Sequence, residues 1–134
     1  MLNRLFSHKA GKKDGLTQAQ REAIVDVLHY CMYADNFIAL SETQFIEAEV
    51  ESLSWDPQIS FEYYQGKSIG AVRAALANAE TKKKFFESVN SRLGSGKVRQ
   101  MAFDLCGKLF TVDGSKPASE FASQGEVRKA LGIT

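Results

Sequence analysis

Four carboxylates stand out by type and spacing. Asp35 and Glu42 bound the stretch Asp-Asn-Phe-Ile-Ala-Leu-Ser-Glu, and Asp113 and Glu120 bound Asp-Gly-Ser-Lys-Pro-Ala-Ser-Glu. Each pair places one acid where a helix should end and the other where the next should begin. A short loop that folds back brings the two acids near each other. If the two loops also meet, four carboxylates converge, and they repel one another unless a cation or basic side chains neutralise them. Oxygen donors of this kind suit hard divalent ions. Ordinary structural chemistry uses the same residues. Ser-Glu at a helix start is capping, with the Glu favoured by the helix dipole, and Asp before Asn or Gly is turn chemistry. Neither loop is an EF-hand. Counted from Asp35, the third, fifth and twelfth positions are Phe37, Ala39 and Ile46, which carry no side-chain oxygen.

Helices must position these acids, and helical signals run almost the whole chain. Only Pro57 and Pro117 interrupt it. Thr17 with Gln20 forms a capping box. Ile24, Val27, Leu28 and Cys31 then follow helical spacing, which predicts an amphipathic helix to about Ala34. Ser41 with Gln44 predicts a second start, with Phe45, Ile46, Val50 and Leu53 inward. Asp56-Pro57 breaks the chain. A short helix is expected over 60–64, then one capped by Ser68 through Ala79. Another is capped by Thr81, with Phe85, Phe86, Val89 and Leu93 inward and Gly94 as its stop. A long helix over 97–112 follows, then a last one capped by Ser119 and closed by Leu131-Gly132.

The first and last helix pairs repeat at an offset of 78. Identities fall at Arg21/Arg99, Asp26/Asp104, Asp35/Asp113, Ser41/Ser119, Glu42/Glu120 and Leu53/Leu131. The apolar stripe recurs as Ala102, Leu105, Cys106 and Leu109. One such hairpin cannot bury both its faces, so two packed about a pseudo-two-fold axis make a natural core. The expected fold is all-α: a bundle of about six or seven helices containing two pseudo-symmetric αα-hairpins. It forms a single domain over 16–134, behind a basic, mobile arm over 1–15. Asp26 and Asp104 lie nine residues before the loop acids, half a turn round the helix. They are expected to face solvent or a helix partner.

Other chemistries find less support. Cys31 and Cys106 belong to no C-x-x-C pair and fall on apolar faces, so buried free thiols in a reducing compartment are expected. His29 has no recognisable Ser or Cys partner and reads as a structural histidine. Gly94-Ser-Gly-Lys97 lacks the first glycine and the Ser/Thr of a phosphate loop, and no strand precedes it. The chain is therefore expected not to be an enzyme.

The 134 residues are 44% apolar and 25% charged, an ordinary globular composition that excludes a disordered chain or a collagen. No apolar run is long enough to span a bilayer, and no secretory signal opens the chain, so the cytosol is the default expectation. The formal charge of +1 is unevenly laid out: +3 over 1–15, −8 over 16–65, +6 over 66–101 and zero over 102–134. A chain this polarised presents acidic and basic regions that either pair internally or bind something. Glu47, Glu49 and Glu51 read as a solvated acidic face. An alternative function is nucleic-acid binding, with the arm and the Lys82-Lys83-Lys84 patch gripping phosphates beside Phe85 and Phe86. The near-neutral total and the core-like spacing of both Phe argue against it.

The sequence resembles the TerB-like family of small all-helical tellurite-resistance proteins. The resemblance rests on Ala34-Asp35-Asn36 to Ser41-Glu42, on Val112-Asp113-Gly114 to Ser119-Glu120, and on the closing Leu131-Gly132-Ile133. It covers most of the chain from Thr17. The chain departs from the family in having Asn36 where Gly is usual, and Lys116 and Pro117 in its second loop. The resemblance implies a compact helical domain with a divalent cation at Asp35, Glu42, Asp113 and Glu120. It also implies a non-enzymatic role in tellurite resistance and related stress, in the cytoplasm and peripheral to the inner membrane. The implied partners are other proteins, including membrane-associated stress-response components.

Overall fold

Thr17 and Gln20 open the first helix as a reciprocal capping box. The Gln20 amide donates to Thr17 Oγ1 at 3.1 Å and the Thr17 amide donates to Gln20 Oε1 at 2.8 Å. The structure, a computed structural model, describes residues 15–34, 40–112 and 118–133, with the backbone alone over 118–121. Six helices form among them: α1 (Gln18–Ala34), α2 (Leu40–Ser52), α3 (Phe61–Ala77), α4 (Ala79–Leu93), α5 (Gly96–Leu109) and α6 (Ala118–Ala130). The expected all-α bundle is what the chain adopts. Residues 1–14 of the expected arm lie outside the described residues.

α1 is the axis of the bundle and touches each of the other five helices. Every residue from Ala23 to Met32 is buried, including Asp26 and His29. The expected amphipathic stripe is therefore corrected: ten consecutive buried residues point in all directions, as in a helix enclosed on every side. Around α1 the two hairpins keep their symmetry. α1 meets α2 as α5 meets α6, α1 meets α6 as α2 meets α5, and α1 meets α5 across the middle. α3 and α4 cover the flank of α1 that the hairpins leave open.

The repeat has a local cause at the end of each hairpin. Gly132 adopts φ 72°, its amide donates to Lys129 O, and the Ile133 amide donates to Arg128 O, a Schellman closure of α6. Ser54 stands 78 residues earlier, adopts φ 61° and donates its amide to Glu51 O. Arg21 Nε donates to the carbonyl of Leu53 and Nη2 to that of Leu16. Arg99, its twin, lies against Gly132. In each hairpin an arginine from the first helix thus reaches the C-terminal end of the second, where carbonyls lack helical partners.

Several expected boundaries move. α2 and α6 start at Leu40 and Ala118, so Ser41 and Ser119 stand inside the first turn and do not cap it. Ser60, not Ser68, caps a single continuous α3, its Oγ accepting from the Tyr63 amide at 3.1 Å. Ser68 is buried in mid-helix, where other side chains engage its hydroxyl. Asn78 caps α4 by accepting from the Thr81 amide at 3.0 Å, so Thr81 lies within the helix. Ser95 caps α5, which ends at Leu109.

Cys31 and Cys106 form a disulfide across α1 and α5, with Cα atoms 6.4 Å apart, and both are fully buried. This corrects the expectation of free thiols, and the argument it offered for a reducing compartment falls with it. The bond closes a sequence separation of 75 residues, a constraint on the unfolded chain of about 4 kcal/mol in the chain-entropy account. No helix among the described residues is long and apolar enough to cross a membrane.

Candidate functional site

Two regions carry chemistry. The first is the pair of acidic loops. Asp35 and Asp113 lie outside the described residues. Glu120 falls in the first turn of α6, and its side chain is likewise outside them. Glu42 is described: it lies in the first turn of α2 and is fully buried. Cys31 and Cys106 each stand one turn before the C-terminal end of their helix, so the bond between them holds the described ends of α1 and α5 at the same side of the molecule. Among the described residues no group of three or more His, Cys, Asp or Glu could hold a metal ion. Glu47 and Glu51 are exposed on α2 and Glu49 is half-buried.

The second region was not singled out by the sequence. Asp26, at 4% exposure, is the hub of a polar network joining α1, α3 and α4. Its Oδ1 accepts from Ser68 Oγ at 2.6 Å and from Tyr64 OH at 2.8 Å. Its Oδ2 accepts from Arg92 Nη2 at 2.7 Å. Arg92 also reaches the Tyr64 hydroxyl and the Ser88 hydroxyl, at 3.3 and 3.2 Å. His29 Nδ1 stands 2.8 Å from Ser68 Oγ. Ser68 has one proton and gives it to Asp26, so Nδ1 must be the donor to Ser68. That fixes the Nδ1–H tautomer and leaves Nε2 an acceptor, which has no hydrogen-bond partner among the described residues. Asp26 thus faces helix partners, one of the two environments the sequence allowed.

The electrostatics follow from burial. Desolvation holds the His29 pKa down at about 4, against the pull of the Asp26 charge. Burial also pushes the Tyr64 hydroxyl up, and the Asp26 carboxylate beside it pushes the same way. For Arg92, burial opposes the charge, but Asp26 and Tyr64 outweigh it and raise the pKa. The residue types invite comparison with a nucleophile and its base, but the order is wrong. Ser68 donates to a carboxylate that an arginine already neutralises, and His29 donates to Ser68 where it would have to accept. Nothing here activates the hydroxyl.

A smaller network ties α1, α4 and α6. Glu126 accepts from Tyr30 OH and from Lys82 Nζ, each at 2.8 Å. The bond to Glu126, with the Tyr30 hydroxyl as a second partner, raises the Lys82 pKa. Phe85 and Phe86 are buried and pack on the Tyr30 ring, with centroids 5.8 and 4.9 Å away. Of the Lys82–Lys84 patch, Lys83 and Lys84 are exposed and Lys82 is half-buried, while Phe85 and Phe86 beside them are mostly buried.

One signal could have exposed the Asp26 network. Asp26 and His29 are the only polar residues between Ala23 and Cys31 apart from the Tyr30 hydroxyl, and polar groups set among apolar neighbours on every side of a helix need partners from other helices. No protein-family model, curated protein or solved structure matches the chain.

Proposed function

We propose that this chain is a non-enzymatic stress-response module of TerB-like type that works through protein contacts and a divalent cation. The observation that carries the reading is the complete burial of the Glu42 carboxylate at the start of α2. A carboxylate at such a place is held by hydrogen-bond donors, by protonation, by basic partners or by a cation, and the reading takes the cation as one of its partners. The disulfide supports it too, because it brings the ends of α1 and α5, and with them the origins of both acidic loops, to one side. Asp35, Glu42, Asp113 and Glu120 would hold the ion, whose charge would offset their mutual repulsion and tie the two hairpins together. The rigidified face, or the acidic surface of Glu47 and Glu51, would then meet a basic partner protein in the cytoplasm or at the membrane surface.

Calorimetric titration of the oxidised chain with calcium, magnesium, manganese and zinc tests this reading. Saturable heat is expected with one of these ions. It should be lost in the Asp35→Asn/Asp113→Asn double variant. Heat that survives both substitutions removes these ligands.

A further inference from the structure

α3 and α4 run back to back through the single connecting residue Asn78, and between them lies a groove of about 480 Å³ whose floor is α1. The size is that of a small-molecule site. Its origin is the small residues of α3: Ala71 and Ala74 line the groove with short side chains, and buried Phe85 of α4 supplies an apolar wall. At its polar end the groove reaches Asp26 and Arg92.

We propose that this groove binds a small organic monoanion, a carboxylate carrying an apolar body. The polar groups at the inner end of the groove are already committed. The hydroxyls of Tyr64 and Ser68 donate to Asp26, and Arg92 is paired with the same carboxylate. The remaining cations that line it are Lys67 on the α3 wall and Lys84 on the α4 wall. Both are exposed, and neither pairs with a carboxylate among the described residues. Two ammonium groups on opposite walls supply the charge-assisted contacts that an anionic head needs. Their aliphatic stems extend the apolar surface toward the mouth. Asp26 and Glu22 also border the groove. Their carboxylates disfavour a doubly charged head such as phosphate, so a single negative charge fits best. The apolar body of the ligand lies over Ala71, Ala74 and Phe85. The site is separate from the acidic loops, since Asp26 lies eight residues, about 12 Å of helix, before the end of α1.

Amide chemical-shift mapping of the full chain with octanoate, octylammonium and inorganic phosphate tests the proposal. Octanoate should give saturable shifts confined to the groove-lining stretches of α1, α3 and α4, while octylammonium and phosphate should give none there. Lys67→Ala/Lys84→Ala should weaken octanoate at least tenfold. Ala74→Leu, which fills the groove and leaves its charge alone, should do the same. Both substitutions lie at exposed helix positions, and the amide spectrum of each variant reports whether the fold is kept. Absence of saturable octanoate shifts overturns the proposal. So does unchanged affinity in both folded variants, or binding of octylammonium or phosphate as tight as that of octanoate.

Discussion

Asp26 and Asp104 hold the same place in the first helices of the two hairpins, 78 residues apart, and live in different media. Asp26 is buried and bonded to Tyr64, Ser68 and Arg92. Asp104 is exposed and, among the described residues, accepts from Gln100 on its own helix, at 2.9 Å. The same contrast recurs along the repeat. His29 is fully buried, whereas its twin Gly107 faces Gln124 of α6 so closely that a Cβ would stand 3.3 Å from its Nε2. The cause is α3 and α4, which cover α1 and, among the described residues, have no counterpart over α5 beyond a contact with α4. A duplicated hairpin therefore supplies the frame, and the unduplicated pair decides which copy acquires a polar interior.

The sharpest way to break this comparison is to remove the two aspartates in turn. Asp26→Ala strips the partner from the half-buried Arg92 and from the Tyr64 and Ser68 hydroxyls and should cost about 4 kcal/mol, whereas Asp104→Ala should change stability by less than about 0.5 kcal/mol. Denaturant unfolding of both variants measures this, and equal losses would mean the twins are equivalent after all.

His29 gives the next largest effect. Its folded pKa lies near 4 against an ordinary 6.5, so between those values the unfolded chain binds a proton that the folded chain refuses. Stability should therefore fall as pH drops from 6.5 to 4, by about 3 kcal/mol at 1.4 kcal/mol per unit. In His29→Gln this component should vanish, leaving only the carboxylate contribution. Unfolding curves of wild type and variant across that pH range provide the check.

Arg21 and Arg99 sharpen the comparison at the hairpin ends. Arg21 donates to two backbone carbonyls, and Arg21→Met should cost about 2 kcal/mol by leaving them unpaired. Arg99 Nε has no hydrogen-bond partner among the described residues, so Arg99→Met should cost under about 1 kcal/mol. The last effect has opposite signs in the two copies. Ser54 holds φ 61° with a side chain and Gly132 holds φ 72° without one. Ser54→Gly should stabilise by about 1 kcal/mol and Gly132→Ser should destabilise by a similar amount. Thermal unfolding of the pair resolves the sign.

Much of the frame is legible in residue order because its causes are local. The Thr17–Gln20 capping box, the inward Phe85, Phe86, Val89 and Leu93, the Gly94 stop and the Leu131-Gly132 closure all act within a few residues, and periodicity displays them. The repeat is legible for the same reason, since Arg21 with Leu53 and Arg99 with Leu131 recur at the same places of the two hairpins. Ser68 shows the limit. Its type marks a cap, yet the position of Asp26 on a neighbouring helix makes it a buried donor. Cys31 and Cys106 show it again, because no local rule states which inward faces of α1 and α5 meet.

The sequence by itself determined an all-α chain with two matched hairpins, since capping, periodicity and turn residues depend on neighbours a few positions away. Only the tertiary structure decided that α1 would be enclosed, that two distant cysteines would join, and that Asp26 would gather partners from α3 and α4. Those outcomes depend on which helix faces pack together, and packing is chosen by the burial of the whole set of helices at once.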